Sequence, residues 1–190
     1  MNFVKYKKRP RLRHFDYLGR YGYFITICTH NKNPNFRKTL TVSRCIESLI
    51  VKAEAFYFNV VVYCFMPDHV HFLAKGMKSY SNLKKFVSSY KQSTGYEFSR
   101  SIKMQSEKNQ DRAKALNYDD PGTNHDVAQG FSPAKKIKLW QPSFYDHVLR
   151  NDEDVFKFAK YILNNPVRRK IVTNYKDYQF SGPIDLIGDL

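Results

Sequence analysis

Val60-Val-Val-Tyr-Cys-Phe-Met-Pro-Asp-His-Val-His-Phe-Leu-Ala-Lys75 decides how this chain folds. The apolar run is interrupted once, at Met66-Pro67-Asp68, and resumes at once with His69-Val70-His71. Such a pattern predicts two adjacent strands joined by a Pro-Asp turn, hence an antiparallel return of the chain. Side chains alternate along a strand, so His69 and His71 share one face while Val70, Phe72 and Ala74 take the other. Two imidazoles on one face, near the end of a sheet, can grip one metal ion. The same pattern also describes histidines that merely line a solvated strand face, and the pair alone does not choose between the two.

Working outward, Tyr21-Gly-Tyr-Phe-Ile-Thr-Ile-Cys-Thr-His30 is rich in β-branched and aromatic residues and is closed by Asn31-Lys-Asn-Pro34. It predicts a strand over about 22–30, central because it is apolar on both faces. From Thr41 to Phe58 the period becomes helical, through Ile46, Leu49, Ile50, Ala53 and Phe56 or Tyr57, with Thr41 or Ser43 as the cap. A second helix is expected over about 80–100, with Leu83, Phe86, Val87, Tyr90 and Thr94 on one stripe and Lys84, Lys85 and Lys91 off it. Residues 101–136 lose apolar periodicity and read as an insertion. Residues 137–150 regain apolar character, and Pro142 favours an edge strand there. Val155, Phe158, Ala159, Ile162 and Leu163 then mark a third helix over about 152–165, opened by the acidic Asn151-Asp-Glu-Asp154 and ended by Asn165-Pro166.

That order excludes a regular parallel β/α alternation and an all-helical bundle. It predicts an α+β fold, an antiparallel sheet with helices packed on one face, of which the ferredoxin-like or RRM-like sandwich is the simplest form. The expected organisation is a basic N-terminal arm over 1–22, one domain over about 20–180 containing the insertion, and a tail over 181–190.

Thirty-two Lys and Arg against 17 Asp and Glu give the 190-residue chain a formal charge of +15, which implies a polyanionic partner. Six of the cations, Lys5, Lys7, Lys8, Arg9, Arg11 and Arg13, fall within the arm, with no acid among them. Lys84, Lys85, Lys91, Arg168, Arg169 and Lys170 are further candidates for phosphate contact. Trp140 and Phe144 are candidates for base stacking, against the alternative that aromatic rings in apolar segments fill the core. Cys28, Cys45 and Cys64 are odd in number and embedded in apolar segments, as reduced core thiols are. No run of residues is long and apolar enough to span a membrane, and a cytoplasmic protein is expected.

Phe65-Met-Pro-Asp-His-Val-His-Phe-Leu73, Leu139-Trp-Gln-Pro-Ser-Phe-Tyr-Asp-His-Val-Leu-Arg150 and Tyr161-Ile-Leu-Asn-Asn-Pro-Val167 together resemble the three signature blocks of the HUH tyrosine transposases. The likeness is to the REP-associated, single-tyrosine branch of the insertion-sequence type, and it runs over roughly residues 20–180. The resemblance implies a transposase that cleaves and rejoins single-stranded DNA, in hairpin form, through a 5′-phosphotyrosine. It implies Tyr161 as the nucleophile and His69 and His71 as ligands of Mg²⁺ or Mn²⁺. Asn165, four residues beyond Tyr161 on a helix, is the expected third ligand where the family often carries Gln. His147 stands as a secondary site candidate, and Tyr90 and Tyr96 as rival nucleophiles on the second helix. A monomer and a homodimer both remain open. So do a catalytically silent DNA- or RNA-binding protein of the same fold, and a metal-dependent nuclease without a covalent intermediate.

Overall fold

The computed structural model describes residue 12 and residues 14–116, 137–150 and 153–183. Its strands are β1 (Gly22–Cys28), β2 (Phe58–Met66), β3 (His69–Gly76), β4 (Tyr145–Val148) and β5 (Ser181–Pro183). Its helices are α1 (Thr39–Ala55), α2 (Leu83–Leu116), α3 (Val155–Leu163) and the single turn α4 (Asn165–Arg168). The five strands form one antiparallel sheet in the order β4-β1-β3-β2-β5. Its first six elements run β-α-β-β-α-β, the ferredoxin-like succession expected from the sequence.

β2 and β3 are the hairpin across Pro67-Asp68, and β3 is the middle strand. Tyr23, Ile25 and Ile27 of β1 and Val70, Phe72 and Ala74 of β3 are buried beneath α1 and α2. α2 contributes Leu83, Phe86, Val87 and Tyr90, all fully buried, as its periodicity predicts. In α1 the buried row is Val42, Cys45, Leu49 and Ala53, one step round from the expected stripe, and Ile50 is left exposed. The sequence favours the isoleucines, but cysteine packs as a small hydrophobe and takes the inner position. Lys38 stands at the N-cap of α1 with no side-chain cap, so neither Thr41 nor Ser43 serves there.

Three further boundaries differ from the sequence reading. α2 does not end near residue 100 but continues to Leu116. Residues 101–116 contain neither Gly nor Pro and are rich in Lys, Met, Gln, Glu, Arg and Ala, which favour helix on their own. The apolar stripe is missing because nothing packs on that part: residues 103–112 are exposed all round. The expected insertion therefore starts as helix, and its remainder, 117–136, lies outside the described residues. The expected tail begins as β5, which pairs with β2 through Val62–Cys64. The expected arm is also shorter than 1–22, because Tyr17 is 1% exposed and its carbonyl accepts from Leu83 N at 3.1 Å.

β4 is an edge strand, with Pro142 in the segment before it. Leu139 and Trp140 of that segment are core residues. α3 starts at Asp154, whose carboxylate accepts from Phe156 N at 2.8 Å. It lies on the sheet face opposite to α1 and α2, against β2 and β3. The three cysteines are free thiols.

Candidate active site

Residues directly opposite one another in neighbouring strands share a face. Cys28 and Met66 therefore flank His69, and Thr26 and Cys64 flank His71, on the face that α3 covers. The two imidazoles are 8% and 9% exposed, with their Nε2 atoms 3.0 Å apart. Each Nδ1 is held from behind: that of His69 by Asp68 Oδ1 at 2.5 Å, that of His71 by Thr26 Oγ1 at 2.8 Å. Partners of this kind fix the tautomer and the plane of a ligating imidazole.

Burial pushes the His69 pKa below its ordinary value, with Arg169 and Lys32 adding to the effect and Asp68 opposing it. His71 is driven well below its ordinary value by burial and by His69, Arg168 and Arg169. Both rings are thus neutral at neutral pH, as metal ligation requires. Two nitrogens bound at right angles to one ion at about 2.1 Å stand about 3.0 Å apart, so the observed spacing suits an ion with a right angle between ligands. Among the described residues no third His, Cys, Asp or Glu converges with the pair. The remaining positions fall to neutral oxygen donors, water or phosphate, a set that fits Mg²⁺ or Mn²⁺ better than a closed zinc site.

Tyr161 lies in the last turn of α3, half-buried, with its ring centroid 6.4 Å from that of His71 and 5.9 Å from that of Phe24. Phe24 in turn stacks on His71 at 5.4 Å. Arg168 of α4 reaches back over the Tyr161 ring, its guanidinium carbon 4.5 Å from the centroid. The break between α3 and α4 produces this return. Pro166 has no N–H to offer the Ile162 carbonyl, so the ladder ends. Asn165 compensates: its Nδ2 donates to Tyr161 O at 3.1 Å and to Ile162 O at 3.4 Å. Asn165 is 6% exposed and fixed to the same turn as Tyr161, but across a helix break rather than along one continuous helix.

The rival tyrosines sit elsewhere. Tyr90 is fully buried in the core on the other face, against Phe72 and Trp140, and burial pushes its pKa well up. Tyr96 is on α2, 68% exposed, also away from the histidines. His147 is on the histidine face, opposite Phe24, but its Nε2 is 2.9 Å from both carboxylate oxygens of Glu153 and its ring stacks on Phe158.

Several candidate nucleic-acid contacts have partners within the fold. Trp140 is a core residue whose Nε1 donates to Thr94 Oγ1 at 2.8 Å, and Phe144 is 3% exposed. Lys91 Nζ donates to the carbonyls of Gln141, Pro142 and Ser143 at 2.8, 3.0 and 3.0 Å, and so pins the loop before β4. Lys84 rests over the Tyr17 ring, and Lys85, Arg169 and Lys170 are exposed. Lys5, Lys7, Lys8, Arg9, Arg11 and Arg13 lie outside the described residues.

Sequence reasoning missed Thr26, Asp68, Phe24 and Lys32 as members of the site. Asp68 could have been suspected as the neighbour of His69. A lone threonine within an apolar strand gave a hint of Thr26, but only the strand register shows that it faces His71.

Comparison with known proteins gives the chain's family. Residues 18–119 match the family described as "Transposase IS200 like". A provisionally named REP-associated tyrosine transposase of Haemophilus influenzae is 24% identical over 160 residues, covering 84% of this chain and 77% of the relative. A REP-associated tyrosine transposase of Escherichia coli K12 is 33% identical over 76 residues, 34% of this chain and 46% of that protein. Among solved structures, a REP-associated tyrosine transposase bound to a REP hairpin shares the fold, with a TM-score of 0.57 at 19% identity over 94% of this chain and 92% of the other. The family match spans more than half of the residues and includes the histidine pair, and the chain belongs to the IS200-like transposases.

Proposed function

We propose that this transposase cuts and rejoins single-stranded DNA beside a hairpin, with Tyr161 as the nucleophile. The observation that carries the reading is the placement of Tyr161 against His71, on the one sheet face where two neutral imidazoles converge. The phenol oxygen of Tyr161 attacks the scissile phosphorus and forms a phosphotyrosine ester. The bond from phosphorus to the 3′ oxygen breaks, and that oxygen leaves as a 3′-OH after taking up the proton the phenol gives up. Attack by another 3′-OH reverses the step and rejoins the strand, so the bond energy is kept in the ester and no nucleotide cofactor is consumed.

His69 and His71 would hold a divalent ion, with the Asn165 amide oxygen as the third donor. Such an ion would polarise the phosphate and offset the charge that develops on it. Asp68 and Thr26 keep the imidazoles oriented. Arg168, whose guanidinium lies over the Tyr161 ring, adds positive charge where the phosphate binds. Arg169 and Lys32 extend that field. The basic N-terminal residues Lys5 to Arg13, with Lys85 and Lys170, supply counter-charge to the DNA backbone beyond the site.

The test is incubation of the purified protein with Mn²⁺ and labelled hairpin oligonucleotides. Wild type should leave a denaturation-resistant protein–DNA adduct and a free 3′-OH end. Tyr161→Phe, which removes one oxygen and little volume, should bind hairpin DNA and abolish both products. An adduct that survives in Tyr161→Phe places the nucleophile elsewhere. Cleavage without any adduct favours a nuclease, and binding without cleavage favours a silent DNA-binding protein.

A further inference from the structure

At the end of the sheet away from the histidines, four large side chains stand in water: Tyr21, Tyr57, Met77 and Tyr80 are 46%, 46%, 47% and 60% exposed. They are held there by specific bonds. The Tyr57 carbonyl accepts from Met77 N at 2.9 Å and from Ser81 Oγ at 2.8 Å, and Ser81 Oγ accepts from Lys78 N at 3.0 Å. Ser81 itself is fully buried. The turn 77–81 is thereby tied to the end of α1, and the rings of Tyr57 and Tyr80 meet edge to face at 5.1 Å.

Tyr57 occupies an unusual place. It follows the C-cap of α1, with φ at +59°, and its N–H bonds to Glu54 O. Glycine is the usual residue there, because the left-handed conformation costs a bulky side chain about 1 kcal/mol or more. A tyrosine is retained in that conformation although about half of it lies outside the core.

The surrounding charge is positive. Arg20, Lys75 and Lys78 are exposed, and none of them is in an ion pair among the described residues. The nearby acids Asp16 and Glu54 are both exposed, with Asp16 accepting from Leu18 N at 2.9 Å, so three cations face two carboxylates. Lys75 continues the alternation His69, His71, Leu73 along β3 and so lies on the histidine face. At about 3.3 Å per residue, Lys75 is about 13 Å from His71 and the turn at Met77 about 20 Å.

We propose that this end of the sheet is a second nucleic-acid site, which stacks unpaired bases on Tyr57 and Tyr80 and takes the adjoining phosphates on Arg20, Lys75 and Lys78. The proposal rests on the reading of the chain as acting on single-stranded DNA, and it adds where the strand goes beyond the cut. Exposed aromatic rings beside unpaired cations are what single strands need, since every base has a face to stack and every nucleotide a phosphate.

The test uses the full chain and three probes: an oligothymidylate of about 16 nucleotides, a hairpin with a single-stranded tail, and the same hairpin without one. Tyr57→Gly, Tyr80→Ala and the double variant are compared with wild type by fluorescence anisotropy, thermal melting and adduct yield at saturating DNA. The double variant should bind oligothymidylate and the tailed hairpin about 5- to 30-fold more weakly. It should bind the tailless hairpin as wild type does, and its adduct yield on the tailed hairpin at saturating DNA should be unchanged. Tyr57→Gly should melt no lower than wild type, because the left-handed position suits glycine.

Unchanged affinity for the single-stranded probes would overturn the proposal. So would an equal loss on the tailless hairpin, or a fall in melting temperature that makes the rings structural. A change in oligomeric state with DNA affinity intact would assign the tyrosines to a second copy of the chain and would equally overturn it. Should wild type form no adduct with any hairpin, the affinities for oligothymidylate, which need no cleavage, still decide this site separately from the activity.

Discussion

Thr26→Val replaces a hydroxyl by a methyl of nearly the same size on an interior strand that accepts either residue. The structure makes the cost specific. His71 Nδ1, in a ring 9% exposed, loses its partner at 2.8 Å. A buried polar atom left unpaired costs about 1–3 kcal/mol, and the β-preference of valine returns a few tenths, for a net loss of about 1–2 kcal/mol. For a chain of this size that is a fall in melting temperature of about 3–6 °C. The larger effect should appear in metal binding, because the ring is no longer held in one plane and tautomer: Mn²⁺ affinity should drop about 10- to 100-fold. Denaturation in metal-free buffer measures the first quantity and Mn²⁺ titration the second, with Thr26→Ser, which keeps the hydroxyl, expected near wild type in both. If Thr26→Val binds Mn²⁺ as tightly as wild type, the hydroxyl does not orient a ligand and the case for His71 in the metal site weakens with it.

Burial holds both site histidines below their ordinary pKa, so as pH falls through about 6.5 the unfolded chain takes up protons that the folded one refuses. The metal-free protein should therefore lose stability from about pH 6.5 downward, levelling only below the folded pKa values; a flat urea midpoint between pH 7.5 and about 5 would contradict the assignment. Lys91→Met should destabilise by about 2–3 kcal/mol, because three carbonyls lose one ammonium, while the salt dependence of DNA affinity stays the same. A shallower salt slope with unchanged melting would put Lys91 on the DNA instead. Replacing residues 105–134 by a short Gly-Ser linker should cost about 1 kcal/mol or less, since the described side chains from 105 onward are exposed, and a larger loss in thermal denaturation would show that the segment packs.

The parts of the fold that were legible in the sequence are those where one local rule acts alone. Alternation along 69–76 put both histidines on one face, and the helical period of Leu83, Phe86, Val87 and Tyr90 gave the buried stripe of α2. What escaped depended on partners distant in sequence. Thr26 joins His71 only through the β1–β3 register, and Trp140 becomes a core residue because Thr94 and Phe36 meet it. The equal spacing of Tyr161 and Asn165 suggested one helical face, yet Pro166 ends the helix and Asn165 serves the broken ladder with its own amide nitrogen. The far half of α2 failed the test of apolar periodicity because that test detects packing, and an unpacked helix has none to detect.

That helix also governs how the molecule moves through solvent. Thirty-four residues at about 1.5 Å each make α2 about 51 Å long, whereas a globule of comparable chain length, with a radius of gyration of about 16 Å, is about 42 Å across. The exposed end adds friction out of proportion to its mass. In gel filtration a single 22.5 kDa chain should elute ahead of globular standards, toward the volume of a dimer. Light scattering, which weighs rather than sizes, is the measurement that separates one elongated chain from two.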